Sequence, residues 1–162
     1  MQFAKYFPPV YIFHLILFFS FCVSLNNIIN FEIINLIFYV LAHITIIYLC
    51  FYYFNFLIYF IVFIYGVLFD ISLFNNIGPH LISFIIFLFI VSLFKKYLFN
   101  LTSGKILILL IIIINLIFIL EMYLGYLIFN YKVNYINVFK ILIITIVMIL
   151  PTIFLFSKID KS

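Results

Sequence analysis

An all-helical bundle embedded in a membrane is the fold this sequence predicts, and three observations predict it. Hydrophobic residues make up 70% of the 162-residue chain and charged residues 7%, against roughly 25% charge in a soluble domain. Apolar runs of the roughly 17–25 residues that a helical crossing needs recur along the whole length. The few charges sit mostly between those runs. A chain in hydrocarbon must satisfy its own backbone hydrogen bonds, so each run is expected to be a helix.

Six spans follow, at about 9–25, 33–50, 56–73, 79–94, 106–129 and 136–156. Pro8 and Pro9 open the first, where proline is tolerated. Its lysine-then-apolar start is like a signal sequence, but no Ala-x-Ala site follows, so an uncleaved first span is expected. Asn26 to Asn30 with Glu32 forms the first loop. No Gly, Pro or charge separates the second and third spans, only Tyr52, Tyr53 and Asn55. Length requires the break: a continuous helix from Ile33 to Leu73 would run about 60 Å, roughly twice the hydrocarbon thickness. Asn75 to Gly78 is a tight turn, Pro79 opens the fourth span, and Lys95 and Lys96 close it. Pro151 is expected to kink the end of the sixth span. No repeat, linker or second domain is visible.

With six spans, Lys5, Lys95, Lys96, Lys105, Lys158 and Lys161 share one side, while Lys132, Lys140 and Glu32 share the other. The positive-inside rule then puts both termini in the cytoplasm and the Asn75–His80 turn on the outer face. The net charge of +4 is therefore a topology signal, and no nucleic-acid partner is implied. The absence of arginine and tryptophan and the abundance of Ile, Phe, Asn and Tyr read as nucleotide bias.

Few residues bear chemistry. Asp70 lies about one turn inside the end of the third span, where a carboxylate opposes the helix dipole. A tight turn brings it to the start of the fourth span, whose first amides lack intrahelical partners and where Gly78 and Pro79 read as N-cap and first helical residue. The expected role is a hairpin clasp, with His80 either its partner or an outer-face contact. Gly66, one turn earlier, lets another helix approach closely. Glu121, a second intramembrane acid, lies past the midplane of the fifth span, with Asn115 on the same span and His43 mid-way along the second. A Glu121–His43 contact would serve as an interhelical bond or, less simply, as a proton relay or ligand site. His14 is expected to pack or sit at the interface. Cys22 and Cys50 are small core residues. No catalytic motif, phosphate loop or metal-ligand spacing is present, so no catalytic residue, metal or cofactor is expected. Asn100-Leu-Thr is a glycosylation sequon by letter on the cytoplasmic side.

Gly66-x-x-x-Asp70, seven residues, then Gly78-x-His80 resembles the signature of the bacterial rod shape-determining MreD family. The basic pair Lys95-Lys96, the acid Glu121 in the penultimate span and the ending around Leu150-Pro151 and Phe154 extend the likeness over nearly the whole chain. The uncharged stretch Tyr52–Phe56, and the lack of a proline near the start of the second span, depart from it. The resemblance implies a non-enzymatic, multi-pass protein of the bacterial inner membrane. It would bind the single-span protein MreC and so link MreB filaments to the peptidoglycan synthases. The family's bundle is similar to the substrate-binding subunits of energy-coupling-factor transporters, so the alternative is a membrane subunit that binds a vitamin or a metal. In that reading Asp70, His80, His43 and Glu121 line an outward-facing pocket.

Overall fold

A computed structural model of the chain describes residues 16, 32–53, 56–98, 103–130 and 134–159. These form five helices: α1 (Glu32–Tyr52), α2 (Phe56–Phe74), α3 (Pro79–Leu98), α4 (Ser103–Phe129) and α5 (Tyr135–Ile159). The protein is all-helical across these residues. Four helices are long and apolar enough to cross a membrane, namely α1, α2, α4 from Gly104, and α5 as far as Phe156. The apolar part of α3, Pro79–Phe94, is shorter, although its backbone helix runs on to Leu98, past the expected end at 94. Apart from Ile16, the expected span at 9–25 lies outside the described residues, as do His14 and Cys22. Cys50 is buried with a free thiol.

The break between the expected second and third spans is real: α1 ends at Tyr52 and α2 begins at Phe56. Asparagine ends two other helices. Asn75 and Asn130 adopt left-handed backbone angles, φ 57° and 51°, and their amides bond back to Ile71 and Tyr126. That is the cap asparagine tolerates better than most residues. At the start of α5, Asn134 Oδ1 accepts the Ile136 amide at 3.0 Å, a side-chain N-cap. Pro151 lies inside α5, which continues to Ile159.

Helix α1 is the centre of the bundle. Every residue from Ala42 to Cys50 is buried, as expected of a helix that is hydrophobic all round. Just over half of its apolar stretch, 56%, is buried inside the protein, against 22% for α5. It packs chiefly along α5, while α2 pairs with α3 and α3 with α4. The outer helices turn stripes of large apolar side chains away from this core, such as Phe56, Phe60 and Phe63 on α2 and Ile108, Ile112 and Leu116 on α4. Their spacing of three and four residues is helical. Such faces suit lipid or another membrane helix.

Candidate functional site: a buried His–Tyr–Glu cluster beside a helical hairpin

The α2–α3 hairpin is locked from the inside by Asp70. Its carboxylate accepts the amides of Gly78 (2.8 Å), His80 (2.9 Å) and Leu81 (3.0 Å). Pro79 has no amide hydrogen, and the Ile82 amide starts the helix by bonding to the Gly78 carbonyl at 3.1 Å. Every backbone donor of the first turn of α3 is thereby accounted for. Hydrogen bonds to an ionised group contribute about 1.5–3 kcal/mol each, which offsets the burial of the charge. Gly66 permits the approach. A Cβ at that position would lie 2.7 Å from the Cα of Leu81. Gly78 faces Phe129, whose ring would be 3.0 Å from an added Cβ.

His80 leads from this clasp into a second polar group. Its Nδ1 lies 2.8 Å from Asp70 Oδ1, and its Nε2 lies 2.8 Å from the Tyr39 hydroxyl. The same hydroxyl is 2.8 Å from Glu121 Oε2, and the other carboxylate oxygen is 3.1 Å from His43 Nε2. His43 Nδ1 donates to the Tyr39 carbonyl one turn back, at 2.8 Å. Ser83 Oγ sits 3.0 Å from both Glu121 Oε1 and the His80 carbonyl. Four helices thus contribute: Tyr39 and His43 from α1, Asp70 from α2, His80 and Ser83 from α3, and Glu121 from α4. The imidazoles are cased in aromatic rings, with Phe69 stacked on His80 at 5.6 Å and Phe118 against His43 at 4.7 Å.

Donor chemistry fixes much of the protonation. A carbonyl only accepts, so His43 Nδ1 carries a hydrogen. Asp70 already takes three amides and is an acceptor, so His80 Nδ1 carries one as well. In neutral imidazoles both Nε2 atoms would then present lone pairs. The contacts His43–Glu121, Glu121–Tyr39 and Tyr39–His80 each need one proton, and Tyr39 brings one. Two more, shared among His43, His80 and Glu121, complete the chain. That count makes the cluster neutral overall with Asp70 ionised, the condition under which burial of so many ionisable groups is tolerable.

All the clasp residues expected from sequence meet: Gly66, Asp70, Gly78, Pro79 and His80 lie at one helix–helix contact. The expected His43–Glu121 contact is also made. Asn115 stays out, donating to the Ile111 carbonyl on its own helix at 2.9 Å. Tyr39 and Ser83 were not expected. Their only sequence signal is position, one turn before His43 and one turn after His80. A cavity of about 250 Å³ reaches the cluster, bounded by Tyr39, His80 and Glu121 and by Asn35, Asn134 and Asn137. Comparison with protein-family models, curated proteins and solved structures finds nothing that matches this chain.

Proposed function

We propose that this chain is a non-enzymatic membrane scaffold of the machinery that elongates the peptidoglycan wall. In this reading it sits in the bacterial inner membrane with both termini in the cytoplasm. It binds a single-span MreC-like partner and thereby links MreB filaments to the wall synthases outside. The observation that carries the reading is the hairpin. The residues of the MreD-like pattern, Gly66, Asp70, Gly78 and His80, are the ones that fix α2 against α3. A motif spent on locking two helices together supports a protein that works by presenting a rigid helical surface. Within the cluster, the Ser83 hydroxyl contacts a carboxylate and a carbonyl rather than a histidine nitrogen, so Ser83 is not set up as an activated nucleophile.

Co-purification of the full chain with a single-span, coiled-coil membrane protein, together with loss of rod shape on depletion, is the expected result. Normal shape and normal wall insertion after complete depletion would refute the scaffold reading. The cavity favours a second reading, a small-molecule carrier subunit, since it is lined by several polar groups on an apolar wall. At about 250 Å³ it is smaller than the roughly 300–1,000 Å³ of a typical ligand pocket. Thermal-shift screening against vitamins distinguishes the two, and stabilisation by one vitamin would favour the carrier.

A further inference from the structure

We propose that His43 Nε2, His80 Nε2 and the Glu121 carboxylate form a binding site for a divalent first-row transition-metal ion, entered through the cavity beside α4 and α5. The site goes beyond the scaffold reading and stands whether or not the chain binds an MreC-like partner.

The donor atoms already converge. One ligand atom from each of His43, His80 and Glu121 lies within 4.8 Å of the others, and all three residues are buried. Glu121 is 3.1 Å from His43 Nε2 and 3.9 Å from His80 Nε2. Metal–ligand bonds of about 2.0–2.2 Å place neighbouring ligands roughly 3–4 Å apart, so only small movements are needed to close round an ion.

Both imidazoles are also held as metal-binding histidines are held. A ligating histidine donates its other ring N–H to a carbonyl or a carboxylate, which fixes its tautomer and aims its remaining nitrogen. Here His43 Nδ1 donates to the Tyr39 carbonyl and His80 Nδ1 to Asp70. Asp70 is in turn anchored by three backbone amides. The two Nε2 atoms are thus turned toward Glu121 by groups that would not need to move. The Tyr39 hydroxyl, which bridges His80 and Glu121, yields its place beside His80 to the ion and keeps its bond to the carboxylate.

Access and selectivity follow from the surroundings. Tyr39, His80 and Glu121 line the cavity, which leaves an open coordination position on that side. Two imidazoles and one carboxylate suit zinc, cobalt, nickel or iron and disfavour magnesium and calcium, which take oxygen donors. On binding, a dication displaces the two protons shared among His43, His80 and Glu121, freeing both Nε2 lone pairs, and so balances the formal charge of the two buried carboxylates, Asp70 and Glu121.

The test uses the full chain, purified in detergent without a histidine tag, stripped with chelator and titrated with Co2+. The expected result is a visible d–d absorption that saturates at stoichiometric metal and is displaced by Zn2+ but not by Mg2+. His80→Asn and Glu121→Gln should each weaken binding about tenfold or more, while Glu32→Gln, at an exposed carboxylate, leaves it unchanged. Absence of saturable absorption in the wild-type protein overturns the proposal. So does unaltered affinity in His80→Asn and Glu121→Gln protein that elutes as folded material. Should both variants misfold, X-ray absorption on the zinc-loaded wild type decides: two imidazoles in the metal's shell support the site, and a shell without them overturns it.

Discussion

Asp70 and Glu121 are both buried carboxylates on apolar helices, and they are satisfied in opposite ways. Asp70 bonds mainly to backbone, to amides 8, 10 and 11 residues further along the chain. Among the described residues Glu121 bonds only to side chains, from Tyr39 and His43 on α1 and Ser83 on α3, 38 to 82 residues away. Backbone amides cannot change protonation, so the Asp70 clasp requires an acceptor and nothing else. Side chains can exchange protons, so the Glu121 cluster tolerates any group that completes its chain of donors and acceptors. The first is a local lock, and the second joins helices only once the bundle has assembled.

Substitutions separate the two kinds of acid. Asp70→Ala strips three amides and His80 of their acceptor and should cost about 3–5 kcal/mol, the range for breaking a buried charged pair. Asp70→Asn retains one carbonyl oxygen and should lose less, measured as the thermal midpoint in detergent. Equal losses would mean that charge, not amide capping, is what position 70 requires. Gly66→Ala tests the same contact sterically. The Leu81 backbone is in the way, and a loss of about 1–3 kcal/mol is expected from overpacking.

In the cluster, Tyr39→Phe leaves His80 Nε2 and Glu121 Oε2 facing each other at 3.9 Å without the bridging hydroxyl. A loss of about 1–3 kcal/mol should follow. Glu121→Gln should be the mildest of the core changes, within about 1 kcal/mol. Its amide can donate to a neutral His43 while its oxygen still accepts from Tyr39, which keeps the cluster neutral. If Gln at 121 proves as damaging as Asn at 70, the contrast between the two acids fails. At the exposed end of the scale, Lys140→Ala removes the pair with Glu32, 3.1 Å long and open to solvent, and should change the midpoint by no more than about 1 kcal/mol.

The clasp was legible in the sequence because its parts are close in the chain. Asp70, a breaker of two asparagines, Gly78 and Pro79 specify a turn, an N-cap and an acceptor within reach of it. The cluster was legible only in part. Placing Glu121 against His43 needed just the rarity of ionisable groups in apolar spans. Tyr39 is one of 13 tyrosines, and hydropathy does not say which of them turns inward. That depends on which helix is central, and α1 differs from its neighbours in burial more than in composition. Local spacing rules also cannot reveal a His–His–Glu group whose members come from three helices.

The position of Asp70 bears on how the chain enters the bilayer. Helix α2 emerges from the ribosome before the amides at Gly78, His80 and Leu81 that its carboxylate accepts. Entering alone, α2 would carry an acid whose insertion costs up to about 2.5–3.5 kcal/mol at mid-membrane. Entering with α3, it would carry one already capped. Helices α2 and α3 are therefore expected to pass from translocon to lipid as a pair. An insertion assay on chains truncated before Pro79 or after Leu98 reads this directly, and equal insertion of α2 in both would refute it.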